Sequence, residues 1–160
     1  MNSIRINISQ QKLSLLDEAG ELIHEYPVST SKYGTGSENG SEKTPLGLHR
    51  IKNKIGGAMP MNMVLVGREP KGMLEDCIRD GVELPDDVIT SRIMWLEGME
   101  PGRNQGGYVD TYNRYIYIHG TSDEDKIGTP ASIGCIRMLN KDVVELYRLV
   151  DVGTEVLIEE

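Results

Sequence analysis

Apolar residues recur at every second position over much of this chain. Ile4, Ile6 and Ile8 alternate with Arg5 and Asn7, which predicts a half-buried strand. A second short strand is predicted over 12–16, a turn at Asp17-Glu18-Ala19-Gly20, and a third extended run over 21–28, so the chain opens as a β-meander. From Ser29 to Pro45 the sequence turns to Ser, Thr, Gly, Asn and Lys and reads as a long polar loop. Further strands are predicted over 48–55, 62–67 and 88–96. The stretch 69–87 is charged and broken by Pro70, Gly72, Gly81 and Pro85; it reads as an excursion from the sheet with one helical turn around 73–78. A Gly-rich loop follows over 97–107. The β-branched and aromatic run Arg114-Tyr115-Ile116-Tyr117-Ile118-His119 predicts a strand with Tyr115 and Tyr117 on one face. Val143, Val144, Leu146, Tyr147 and Val150 recur at helical spacing behind Asn140, which suits an N-cap. Gly153 then ends that helix and 154–158 forms a last strand. The pattern predicts a mostly β domain with one main helix on its C-terminal side.

Composition adds exclusions. With 160 residues the chain fits a single domain. Its 17 basic and 25 acidic residues give a net charge of −8, against the basic face that binding to nucleic-acid phosphates needs, and against docking on anionic lipid. There is no Phe and one Trp, so the core rests on Ile, Leu, Val and Met. No apolar run is long enough to span a bilayer, and the first residues carry no signal-peptide pattern. The expectation is a cytoplasmic protein without membrane insertion; a trimmed N-terminus would place it in the periplasm or cell wall instead. The two Cys and three His (Cys77, Cys135, His24, His49, His119) are scattered, which argues against a zinc cluster or a disulfide framework. No metal and no cofactor are expected. Cys77 lies among Glu75, Asp76 and Asp80, whose charges oppose a thiolate, and is read as inert; a Cys77–Cys135 bridge is the one disulfide the sequence allows.

The informative chemistry lies between His119 and Met138. The run reads His119-Gly120-Thr121, a loop, then Ser132-Ile133-Gly134-Cys135-Ile136-Arg137-Met138. A loop of that length can fold back and bring Cys135 to His119. A thiol is a strong nucleophile once deprotonated, and an imidazole can take its proton if a third group orients the ring. Gly134 permits close backbone approach, and the amides of Gly134 and Cys135 can donate to a developing oxyanion. Arg137, two residues beyond Cys135, shares its face in an extended segment, and its fork suits a substrate carboxylate. Ser132 and Tyr117 flank the pair as candidate substrate contacts. Each residue alone has an ordinary explanation: a buried thiol, a packed imidazole, a surface ion pair. The combination favours catalysis.

His119-Gly120-Thr121 followed by Ser132-Ile133-Gly134-Cys135-Ile136-Arg137-Met138 resembles the active-site signature of L,D-transpeptidase catalytic domains of the YkuD-like type. The similarity extends to Val28-Ser29-Thr30, to Thr44-Pro45-Leu46-Gly47 and to the helix and strand after Cys135. It covers nearly all of 1–160 as one domain, with 69–87 as an insertion. The resemblance implies a β-sandwich-like fold of mixed sheets and a cysteine mechanism without metal, acting on peptidoglycan stem peptides. Cys135 is then the nucleophile that attacks the amide between the L-centre of diaminopimelate and terminal D-alanine. His119 is the base, and the Gly120 carbonyl orients its ring. Some members without an export signal act as L,D-carboxypeptidases on soluble muropeptides, so water is the expected acyl acceptor. Cross-linking or D-amino-acid exchange is the alternative, and a catalytically silent domain that binds wall peptides is an alternative of another class. One departure from the signature is Ile133, where the family commonly has His; this bears on the acceptor more than on the nucleophile.

Overall fold

A computed structural model describes residues 1–160. The opening meander is β1 (Ser3–Asn7), β2 (Lys12–Leu16) and β3 (Leu22–Ser29), followed after the polar loop by β4 (Gly47–Ile55). A hairpin of β5 (Met63–Val66) and β6 (Glu69–Met73) leads into the short helix α1 (Leu74–Arg79), and then come β7 (Ile89–Gly98), β8 (Tyr117–Thr121), β9 (Ile136–Met138), α2 (Asn140–Leu149) and β10 (Glu155–Glu159). The expected mostly β, mixed-sheet architecture holds. All ten strands join in one hydrogen-bonded sheet, in the order β4-β10-β1-β2-β3-β9-β8-β7-β5-β6. Strand β4 also pairs with β7, so the sheet closes on itself and the β5–β6 hairpin branches from it. Most neighbours are antiparallel; β1–β10 and β8–β9 are parallel.

The period-two pattern explains the interior. Ile4, Ile6, Leu13 and Leu15 all point inward, together with Val28, Ile51, Leu96, Val156 and Ile158. Helix α2 packs on β7 and β8 and adds Val143 and Leu146, while Val150 joins them just beyond its end. Each such side chain withdrawn from water contributes about 1.5–3 kcal/mol before entropy is counted.

Four local features go beyond or against the sequence reading. The strand expected over 114–119 begins only at Tyr117: Tyr112–Arg114 is a 3-10 turn and Tyr115 adopts a left-handed conformation at φ 58°. Tertiary contacts override the β-prone composition there. The Trp95 indole donates to Tyr112 O at 3.0 Å and stacks on the Tyr112 ring at 4.1 Å, and Arg114 donates to Lys43 O at 2.7 Å. Tyr115 and Tyr117 therefore do not share a strand face. Second, 136–138 is a strand, too short to show a period of its own. Third, Asn140 is not the N-cap but the first helical residue, and its side chain is buried. Fourth, the 69–87 stretch, expected to leave the sheet, begins as edge strand β6, where Pro70 needs no ladder donor. The helical turn expected around 73–78 is α1.

Candidate active site

The site is built by alternation across the parallel β8–β9 pair, in which Ile118 faces Ile136 and His119 faces Arg137. Ile116, Ile118, Ile136 and Met138 enter the core. Alternate positions, Tyr117 and His119 on β8, Arg137 on β9 and Cys135 just before it, share the opposite face.

His119 is completely buried. Its Nδ1 lies 2.5 Å from the Gly120 carbonyl. A carbonyl only accepts, so the proton sits on Nδ1 and the lone pair on Nε2, which has no partner. Burial, opposed by the nearby Asp87 carboxylate, holds the imidazole below its ordinary value, so it rests neutral. His49 is the instructive contrast. It is equally buried, but both ring nitrogens are engaged, with Gly47 O and Thr111 Oγ1 at 3.0 Å each. Burial lowers its pKa to about 4, and it is a structural residue.

Cys135 is half-buried, and its thiol donates to Tyr115 O and accepts from the Tyr117 N–H, both at 3.3 Å. No hydrogen bond joins it to His119. Desolvation pushes the thiol up to about 12, partly offset by the Tyr117 N–H. The resting pair is thus neutral thiol and neutral imidazole. Cys77 and Cys135 are both free; Cys77 is buried against Val64 and Val88.

The loop that carries Cys135 is held by the polar segment that the sequence presented only as a loop. Thr44 donates its hydroxyl to Gly134 O at 2.9 Å, and Lys32 N–H donates to Ser132 O at 2.9 Å. The buried Ser132 hydroxyl donates to Cys135 O at 2.6 Å and accepts from Gly134 N–H at 3.3 Å. Ser132 therefore shapes the loop from within. Gly134 sits at φ 130°, a conformation closed to ordinary side chains. The Cys135 N–H makes no hydrogen bond within the chain and is free to donate to an oxyanion. Tyr117 is buried, with its hydroxyl accepting from Arg68 at 3.1 Å and its ring edge-on to Trp95. Arg137 is buried and pairs with Asp87.

Behind His119, a network invisible to motif reading fixes Gly120. Asn140 Oδ1 accepts from Thr90 Oγ1 at 2.5 Å and Ser91 Oγ at 2.6 Å, while its Nδ2 donates to Thr121 O at 3.0 Å. A Cβ on Gly120 would collide with Asn140 Oδ1 and lie 2.6 Å from Thr90 O. Gly120→Ala is accordingly expected to cost about 1–3 kcal/mol of stability, seen as a Tm several degrees lower, and to depress turnover by displacing the carbonyl that orients His119. A thermal melt and a rate assay on one preparation check both effects.

A cavity of about 460 Å³ opens onto Cys135, lined also by Asp86, Asp87, Tyr115, Tyr117 and Ile133. An adjoining hollow of about 240 Å³ shares Arg114, Tyr115, Ile116 and Ile133 with it. No cluster of His, Cys, Asp and Glu able to hold a metal ion is formed. No helix is long and apolar enough to cross a membrane.

Comparison with known proteins agrees with this architecture. The putative L,D-transpeptidase YkuD of Bacillus subtilis is 46% identical over 61 residues, which span 35% of this chain and 37% of that protein. The putative L,D-transpeptidase YqjB of the same organism is 48% identical over 50 residues, 31% of this chain and 28% of its own length. The alignments thus span well under half the length of these relatives. Among solved structures, the L,D-transpeptidase of Xylanimonas cellulosilytica superposes with a TM-score of 0.61 at 18% identity, covering 99% of this chain and 60% of that one. The L,D-transpeptidase LdtMt1 in complex with imipenem gives 0.60 at 17%, covering 99% and 58%. At such identities the superpositions speak for the fold alone. The model of the L,D-transpeptidase catalytic domain family, YkuD, matches residues 1–158, and the chain belongs to that family.

Proposed function

We propose that this chain is a cysteine acyl-enzyme that cleaves the L,D amide between diaminopimelate and terminal D-alanine in peptidoglycan tetrapeptides. The observation that carries this reading is the buried, unpaired Nε2 of His119, on the same face of the β8–β9 pair as Cys135. With Nδ1–H fixed on Gly120 O, Nε2 is the nitrogen available to take a proton. Substrate entering the cavity turns the thiol from the Tyr115 carbonyl toward the imidazole. The Cys135 proton passes to Nε2, the sulfur attacks the carbonyl carbon, and the free Cys135 N–H receives the oxyanion. Collapse of the tetrahedral adduct breaks the C–N bond. The leaving amine takes the proton from His119 and departs as D-alanine, leaving a thioester. Water, deprotonated by His119, then releases the tripeptide.

Water is taken as the acyl acceptor in this reading; an amine acceptor, which would give a cross-link, is the alternative. The test is incubation of purified protein with disaccharide-free tetrapeptide and mass analysis of the products. Tripeptide and D-alanine in equal amounts support the reading. A peptide dimer in place of the tripeptide, with D-alanine still released, favours cross-linking, and an unchanged tetrapeptide sinks both.

A further inference from the structure

Besides His119 Nε2, one other buried side-chain polar atom has no partner: Nη1 of Arg137. The proposed bond-making and bond-breaking steps do not use it. Arg137 is 4% exposed, so its charge sits almost wholly out of water. Its Nε and Nη2 both converge on a single oxygen, Oδ1 of Asp87, at 2.9 and 2.7 Å. The nearest acidic oxygen to Nη1 is Asp123 Oδ2, at 3.7 Å. A guanidinium fork ordinarily takes a carboxylate with both oxygens, so Asp87 fills this one incompletely.

The segment that delivers Asp87 is weakly held. After the Val82 N–H, which donates to Cys77 O, residues 83–88 make no backbone hydrogen bond to the surrounding loops. Leu84 and Val88 pack on Val64 and Cys77, and the polar anchor is the Asp87–Arg137 pair. Asp87 also lines the cavity that opens onto Cys135. A carboxylate brought into that cavity therefore reaches the side chain now occupying Arg137.

We propose that Asp87 is a built-in stand-in for the substrate's terminal carboxylate: it occupies Arg137 in the free protein, and a peptide ending in a D-amino acid displaces it. This deepens the function proposed above and rests on it for the identity of the peptide. The exchange leaves the buried guanidinium paired with one carboxylate before and after, so no buried charge is stranded. A peptide that continues past the D-residue, or ends in an amide, offers a neutral group and cannot replace Asp87 without stranding it. Arg137 thereby selects the chain end, and Asp87 resumes its place when the D-amino acid leaves.

The test uses N-acetyl-D-alanine and N-acetyl-D-alaninamide, which lack the scissile L,D bond, so turnover does not enter. Both are titrated into ¹⁵N-labelled full-length protein while the Arg137 Nε–H resonance, assigned by its loss in Arg137→Lys, is followed. The acid is expected to shift that resonance saturably, with an affinity at least tenfold above the amide. Asp87→Asn is expected to bind the acid several-fold more tightly, because the competing charge is gone. An Arg137 resonance unmoved by the acid, or an equal response to acid and amide, overturns the proposal; so does weaker acid binding in Asp87→Asn. If Asp87→Asn does not fold, the wild-type titration decides alone. A selective shift in protein that leaves the tetrapeptide intact refutes the catalytic reading and keeps the carboxylate seat; tetrapeptide turnover with no shift does the reverse.

Discussion

Cys135→Ser is expected to lower release of D-alanine from the tetrapeptide by about 10⁴-fold or more, while Tm stays within a few degrees of the unaltered protein. The size follows from the chemistry. Loss of a covalent nucleophile removes the whole acyl-enzyme route and leaves only binding and oxyanion stabilisation. A hydroxyl is far harder to deprotonate than a thiol, and the proposed base, His119, is a neutral imidazole held low by burial. The fold is spared because the substitution keeps the shape of a half-buried side chain, whose backbone is held by Ser132 and whose neighbour Gly134 is held by Thr44. A rate assay beside a thermal melt checks both halves. A loss under tenfold in a folded variant is incompatible with Cys135 as nucleophile.

His119→Gln is the second large effect, about 10³-fold in turnover, within the range for removal of a general base. This variant also distinguishes two kinds of cysteine site. Where thiolate and imidazolium form a resting ion pair, removing the His abolishes thiol reactivity as well. Here the thiol is pushed up to about 12 and bonds to Tyr115 O and Tyr117 N–H rather than to His119. Alkylation of Cys135 by iodoacetamide, without substrate, should therefore change little in His119→Gln and keep rising with pH beyond 9 in both proteins. The pH profile of turnover has a defined sign. In the proposed mechanism His119 acts as base only when neutral, and burial lowers its value below 6.5. The acid limb of kcat/KM, which reports the free enzyme, should accordingly lie below pH 6.5. An acid limb centred above pH 7 contradicts a buried neutral base.

How much of this was legible in the amino-acid sequence depended on whether a feature was local. The alternations Ile116-Tyr117-Ile118-His119 and Cys135-Ile136-Arg137-Met138 each carry one apolar and one chemical face. When β8 and β9 pair in parallel, the two chemical faces become one site. The residues that tune the site come from afar and match no motif. Asp87 lies fifty positions from Arg137, in a stretch that reads as a charged excursion from the sheet. Asn140 carries a signal for a helix cap, yet Thr90 and Ser91, on a distant strand, draw its side chain into the interior. The turn at Tyr115 was hidden because it depends on Trp95 stacking on Tyr112, a contact no local propensity encodes. Ser132 reads as a substrate contact from its place in the motif, but its hydroxyl faces the backbone it shapes.

The most direct test of the cysteine mechanism is the mass of the intact protein during turnover. Protein mixed with tetrapeptide and quenched in acid within the first turnovers should carry a thioester equal in mass to the tripeptide less one water, mapped by proteolysis to the fragment holding Cys135. D-alanine should appear in the same burst. Product formed with no covalent adduct, or with an adduct on another residue, would contradict the mechanism.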